Sequence, residues 1–208
     1  MRLQAAIDRV SVEKAEETIL EVGGSADIVE IGTSLIKDFG LEGSVAVLRE
    51  KFPDQGFLAD IKTCDEGAYE FRKTYEAGAD IATVMGFSSV STIRACREVA
   101  EEFGKEYMID LLEVGDEKLE VLIREFPDAI FGVHLPSDNK GEGLETLAVH
   151  AMSKLKGIQK VSVAGGVTLD TAGLMKRLGI DIVIVGGAIT KAQNMKEAAE
   201  RFAEIIRG

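Results

Sequence analysis

Short apolar runs rich in Val, Ile and Ala alternate along this chain with longer stretches in which charged and apolar residues recur at helical spacing. The short runs predict strands from Leu3 to Asp8, Asp27 to Gly32, Gly56 to Lys62, Ile81 to Gly86, Tyr107 to Leu111, Ala129 to His134, Val161 to Gly165 and Ile182 to Gly186. They recur at intervals of roughly 20 to 30 residues, the spacing of repeated βα units. Amphipathic stretches such as Val12 to Val22, Gly67 to Ala77 and Met195 to Ile206 predict the helices between them. Gly78-Ala79-Asp80 and Gly179-Ile180-Asp181 mark joints, where Gly suits a helix C-terminus and a strand starts at once. Eight buried strands alternating with eight helices predict a parallel (β/α)8 TIM barrel, one domain over residues 1–208. An open doubly wound sheet is the rival, but no GxGxxG follows the first strand, so its nucleotide-binding form lacks the phosphate turn.

A barrel gathers its chemistry at the carboxyl ends of the strands. Those ends carry Asp8, Glu30, Asp60 with Lys62, Asp110, His134, Gly165-Gly166 and Gly186-Gly187. Asp60 and Lys62 are two apart on one strand, which puts a carboxylate and an ammonium on the same face, with Asp65 just beyond. An ion pair at the end of a buried strand calls for chemistry or a costly network, unlike a surface pair. A single acid such as Asp8 is explained equally well as a helix cap; the assembled set points to a shared site.

The two glycine pairs end adjacent strands, where barrels frequently hold phosphate on backbone N–H groups that a Cβ would block. Neither turn contains a basic residue, so backbone donors are expected to dominate there. Glu30 and Asp60 offer hard oxygen ligands of the kind Mg²⁺ or Mn²⁺ takes. His134 has the pKa range for proton transfer at neutral pH, which is preferred over its alternative as a satisfied core histidine. His150 falls in a helical segment and is expected to be structural or exposed, and Cys64 is expected to pack.

Composition narrows the partners. At 208 residues the chain can bury one sizeable core, and no apolar run approaches the roughly 20 residues of a membrane span. Its amino-terminal residues predict a strand rather than a signal peptide, and Cys64 and Cys96 fit a reducing cytoplasm better than a disulfide framework. A formal net charge of −12 argues against nucleic acid as the main partner and leaves an anionic small substrate open.

Asp60-x-Lys62-x-x-Asp65, in register with Leu3-Gln4-Ala5-Ala6-Ile7-Asp8, Val29-Glu30-Ile31-Gly32-Thr33, Ala77-Gly78-Ala79-Asp80, Val163-Ala164-Gly165-Gly166 and Val183-Ile184-Val185-Gly186-Gly187, closely resembles the orotidine monophosphate decarboxylase superfamily. Within it, the chain is similar along its whole length to the branch of 3-hexulose-6-phosphate synthases and 3-keto-L-gulonate-6-phosphate decarboxylases. Ala164, Gly187 and the short Asp110 resemble the synthases, whereas Leu135-Pro136-Ser137-Asp138 departs from the Thr-Gly that usually follows the histidine.

The resemblance implies a reversible, metal-dependent aldol condensation of formaldehyde with D-ribulose 5-phosphate, passing through an enediolate. Glu30 and Asp60 would hold Mg²⁺ or Mn²⁺, Lys62 would stabilise the oxyanion, and His134 would move the proton at C1. Asp8 and Asp110 would orient sugar hydroxyls, and Gly165, Gly166, Gly186 and Gly187 would hold the phosphate. Asp65 would reach into the neighbouring subunit of a homodimer with shared active sites. Two alternatives remain open: decarboxylation of 3-keto-L-gulonate 6-phosphate, and a non-catalytic phosphosugar binder, against which the proton-transfer group His134 speaks.

Overall fold

Alternation along each strand decides which residues meet helices and which fill the barrel. In the first strand, β1 (Arg2–Ile7), Leu3, Ala5 and Ile7 join the apolar layers beneath the helices, while Gln4 and Ala6 face the central cavity. The same period of two runs through β2 (Ile28–Ile31), β3 (Gly56–Thr63), β4 (Ile81–Met85), β5 (Glu106–Asp110), β6 (Ile130–His134), β7 (Val161–Ala164) and β8 (Ile182–Val185). In this computed structural model, which describes residues 1–136 and 143–208, the eight parallel strands close in chain order. Closure is made by β1 pairing with β8, Leu3 opposite Val183, which excludes the open doubly wound sheet. Strand bounds match the sequence expectation to within a residue or so; residues 137–142, including Ser137 and Asp138 of the divergent loop, lie outside the described residues.

Inside the barrel, Ile28, Leu58, Ile81, Met108, Ile130 and Ile182 form an apolar floor. Polar side chains therefore have room only above it, toward the carboxyl ends, where Glu30, Asp60, Thr83 and Asp110 follow two residues later on their strands.

The helices are α1 (Val12–Val22), α2 (Thr33–Leu41), α3 (Val47–Lys51), α4 (Gly67–Glu76), α5 (Val90–Phe103), α6 (Asp116–Glu125), α7 (Leu144–Lys154), α8 (Leu169–Leu178), α9 (Gly187–Thr190) and α10 (Met195–Arg207). Side-chain caps start several of them, Ser11 accepting from the Lys14 N–H at 3.2 Å and Ser89 from Thr92 at 3.0 Å. The expectation of one helix per unit is corrected twice. After β2, Gly40 (φ +71°) and a π-helical turn over Glu42–Ala46 break the crossover into α2 and α3; after β8, the short α9 precedes α10. Among the described residues no helix is long and apolar enough to cross a membrane.

The aspartates of the Gly-x-Asp joints work at the amino-terminal face. Asp80 accepts the Phe57 N–H at 2.9 Å and pairs with Arg49 and with Lys105 at 2.7 Å; Asp181 pairs with Arg2 at 2.8 Å. The Arg49 guanidinium also donates to the carbonyls of Gly78, Pro53 and Gln55 and lies 4.7 Å above the Phe57 ring. These joints close the end of the barrel opposite the cavity.

Candidate active site

The β3–β4 register shifts between Ala59 and Thr63, and within that irregularity Lys62 takes φ +51°, a left-handed value uncommon for a residue with a Cβ. Side chains that a regular strand would set side by side are here brought into direct contact: the Lys62 Nζ lies 2.9 Å from Asp60 Oδ2 and 3.3 Å from Asp110 Oδ2. Asp60 is almost fully buried, and its two oxygens also accept from the Thr33 hydroxyl at 2.8 Å and the Thr83 hydroxyl at 2.9 Å. Desolvation works against the Lys62 charge, but Asp60 and Asp110 outweigh it and hold the ammonium above the ordinary lysine pKa.

Asp110 ends β5 and His134 ends β6, and the His134 Nδ1 sits 2.9 Å from Asp110 Oδ2. With that nitrogen donating to the carboxylate, Nε2 carries the lone pair of the neutral ring. The Asp110 bond raises the His134 pKa above its ordinary value against the opposing pull of burial. Burial likewise pushes against ionisation of Asp110, yet His134, Lys62 and the Leu112 N–H (2.9 Å) hold its carboxyl below the usual aspartate range. Three donors thus occupy Asp110, which makes it an orienting group for His134 and Lys62.

Glu30 projects from β2 onto the same mouth and accepts from the buried Gln4 Nε2 at 2.6 Å. Burial, reinforced by the nearby charge of Asp60, pushes its carboxyl up to about 7. A buried carboxyl whose proton affinity is raised by a second carboxylate forms with it a donor set suited to a divalent cation. Among the described residues no cluster of three or more His, Cys, Asp and Glu side chains forms a complete metal cage. Glu30 and Asp60 are the carboxylates at this mouth that could hold a hard cation of the Mg²⁺ type, which takes one or two carboxylates and completes its shell with water and substrate.

These groups open onto one cavity of about 960 Å³. Its wall also includes Asp8, Gly165, Gly166, Gly186 and Gly187, so ten of the eleven residues expected at the site converge there. Asp8 both caps a helix and lines the cavity. The N-cap of α2 is Gly32, which has no side chain, and Asp8 Oδ1 takes its place by accepting the Ser34 N–H at 3.0 Å and the Ser34 hydroxyl. Gly165 adopts φ +103°, and Leu135 of the divergent loop packs against it while donating its N–H to the Ala164 carbonyl at 3.0 Å.

The eleventh residue, Asp65, is exposed and does not line the cavity of its own chain. Cys64 is exposed too, its thiol 3.3 Å from the Lys62 carbonyl oxygen, so the expectation that it packs is wrong; the β3 irregularity turns it out of the core. His150 is exposed on α7, as expected. Sequence reasoning missed Gln4, Thr33 and Thr83, which hold the site's carboxylates, and Arg9, Lys14 and Lys191, which bring positive charge to the cavity wall from outside the glycine turns. The alternation Gln4-Ala6-Asp8 carried a signal for Gln4; Thr83 inside a strand and Thr33 at the start of α2 are too ordinary to carry one.

Residues 1–202 match the orotidine 5'-phosphate decarboxylase / HUMPS family. The chain is 36% identical to the 3-hexulose-6-phosphate synthase of Bacillus subtilis (strain 168), covering 99% of each chain, and 36% identical to that of Methylomonas aminofaciens, covering 98% of each. Among solved structures it is similar to the 3-hexulose-6-phosphate synthase from Salmonella typhimurium, with a TM-score of 0.92, 30% identity, and 100% of this chain and 99% of that one covered. It is also similar to KGPDC from Streptococcus mutans, at a TM-score of 0.89, 27% identity, and 99% and 97% coverage. With barrel, strand-end residues and full-length relatives in agreement, this chain belongs to the orotidine 5'-phosphate decarboxylase / HUMPS family.

Proposed function

We propose that this chain is an aldehyde-lyase that joins formaldehyde to D-ribulose 5-phosphate, reversibly; its similarity to proteins named 3-hexulose-6-phosphate synthase supports the reading. The observation that carries the reading is the continuous contact from Asp60 through Lys62 and Asp110 to His134 at the mouth of the barrel. By the resemblance drawn from the sequence, Ala164, Gly187 and Asp110 favour the synthase branch over the decarboxylase branch.

His134, with Nε2 free of Asp110, takes the proton from C1 of the ketose phosphate. The electron pair left behind forms an enediolate, and the Lys62 ammonium stabilises its oxygen. A divalent cation held by Glu30 and Asp60 would lower the energy of the same developing charge. C1 then forms the new bond to the formaldehyde carbon, and the proton held by His134 returns to the resulting alkoxide oxygen. Asp8 orients a sugar hydroxyl, and the turns at Gly165-Gly166 and Gly186-Gly187 bind the phosphate through backbone N–H groups, with Lys191 adding charge.

In this reading the chain acts as a homodimer in a cytoplasmic setting that keeps Cys64 and Cys96 as thiols. Asp65, exposed on its own subunit, serves the neighbour's cavity; exposed Phe39, Tyr69 and Phe87 supply apolar surface for a second copy. Mixed dimers of Asp65→Ala with Lys62→Ala chains are expected to regain one competent site each, and a mixture as inactive as its parents would refute shared sites.

The function itself is tested by following formaldehyde with ribulose 5-phosphate and Mg²⁺, with and without EDTA. Consumption that EDTA abolishes is expected. No consumption in the presence of metal, together with CO₂ release from 3-keto-L-gulonate 6-phosphate, would assign the decarboxylase activity instead.

A further inference from the structure

The register shift on β3 takes Lys62 out of the regular ladder, so its backbone N–H needs an acceptor from elsewhere. The acceptor is a side chain: Thr83 Oγ1, on the inner face of β4, lies 2.9 Å from the Lys62 N. The same oxygen lies 2.9 Å from Asp60 Oδ1. A hydroxyl has one proton to give, and Asp60 as a carboxylate only accepts, so the direction is set: the Lys62 N–H donates to Oγ1, whose O–H donates to Asp60. Thr83 is 2% exposed, which leaves no bulk water to replace either bond.

We infer that Thr83 is a positioning residue for the reaction, its single buried hydroxyl holding both the left-handed backbone of Lys62 and the carboxylate of Asp60 in their working geometry. A threonine in a strand is ordinarily accounted for by its fit to a pleated surface. Here both sides of the hydroxyl are spent on the Asp60-x-Lys62 motif, and a valine of the same shape would fit the strand while serving neither residue. Thr33 holds the other Asp60 oxygen but makes no bond to the Lys62 backbone, so among the described residues Thr83 alone bonds both that backbone and the Asp60 carboxylate. Lys62 sits at φ +51°, so without an acceptor its backbone is free to relax toward an ordinary strand conformation and carry Nζ away from Asp60 and Asp110. The inference rests on the proposed roles of Lys62 and Asp60, and its test separates the two.

Thr83→Val, Thr83→Ser and Thr83→Cys are compared with wild type by turnover of ribulose 5-phosphate with formaldehyde and by amide hydrogen exchange at Lys62. Thr83→Val is expected to lower kcat by about 10²-fold, the scale on which small displacements of a catalytic group act, with KM little changed. Thr83→Ser keeps the hydroxyl and is expected to recover most of kcat. The Lys62 amide should exchange quickly in Thr83→Val and stay protected in wild type and Thr83→Ser. Wild-type kcat in Thr83→Val, or a Thr83→Ser as impaired as Thr83→Val, overturns the inference. Should Thr83→Val not fold, Thr83→Cys, with its weaker acceptor, is expected to lose kcat and amide protection, and wild-type values for both overturn it equally. A wild-type chain inactive on every ketose phosphate removes the aldolase reading, and the exchange result then decides Thr83 alone: equal protection in wild type and Thr83→Val overturns it.

Discussion

Two alanine substitutions in adjacent glycines should differ severalfold in cost, because only one of them meets the loop that follows His134. Gly165 and Gly166 both have positive φ, +103° and +69°, so an added Cβ strains the backbone at either position. At Gly166 that strain is the whole cost among the described residues, since none of their atoms beyond its two chain neighbours lies within 4 Å of the added Cβ. It amounts to about 1 kcal/mol, the penalty of the left-handed region for an L residue. At Gly165 the Cβ would land on the Leu135 carbonyl oxygen and 2.7 Å from the Leu135 Cβ. Overpacking against backbone adds about 1–3 kcal/mol to a backbone strain of about 1–3 kcal/mol, for a total near 4 kcal/mol. For a chain of this length that corresponds to a melting temperature lower by about 3 °C in Gly166→Ala and about 12 °C in Gly165→Ala. Differential scanning calorimetry reads both. Because the Leu135 N–H is bonded to the Ala164 carbonyl, displacement of Leu135 pulls on its neighbour His134, so kcat should fall further in Gly165→Ala than in Gly166→Ala, where the added Cβ acts on the proposed phosphate turn but not on Leu135. Two variants melting together, or a Gly165→Ala with wild-type kcat, would refute the role given to the Leu135 contact.

Asp110→Asn removes the partner that raises the His134 pKa, so the ring should titrate at lower pH than in wild type; NMR titration of its C–H resonances measures this, and an unmoved midpoint would assign the shift to another group. In the proposed reaction His134 is a base only when neutral, so the acid limb of kcat/KM should move to lower pH in the same variant. The stability lent by this pair runs in the matching sense: the folded His134 pKa is raised, so its contribution is present below the unfolded value and is lost as pH rises through the folded one. At the opposite end of the barrel, Arg49→Ala leaves the carbonyls of Gly78, Pro53 and Gln55 without their donor and should cost about 2–4 kcal/mol in urea unfolding. Its kcat per folded molecule should stay at the wild-type value; a large loss would show that the two faces are coupled.

The βα alternation was legible in the chain because a buried parallel strand is almost wholly apolar and its crossover helix is amphipathic, and these two periods do not imitate each other. The strand-end residues were legible for the same reason: Glu30, Asp60, Lys62, Asp110 and His134 break apolar runs at one end, and ten of the eleven expected residues meet at one cavity. Closure of the sheet followed from the count of eight βα units, but the register of the β1–β8 pairing that makes it lay beyond the sequence, since it joins residues at opposite ends of the chain and leaves no local trace. So did the split of the second crossover at Gly40 and the outward turn of Cys64, both set by irregular backbone rather than by residue pattern. The supporting groups were hidden for a further reason. Gln4, Thr33 and Thr83 are ordinary in their own segments, and they gain their roles only when neighbouring strands carry a carboxylate to within hydrogen-bond reach. Sequence records what each residue can donate or accept, but the partner is chosen by strand register and barrel closure, which are properties of the whole fold.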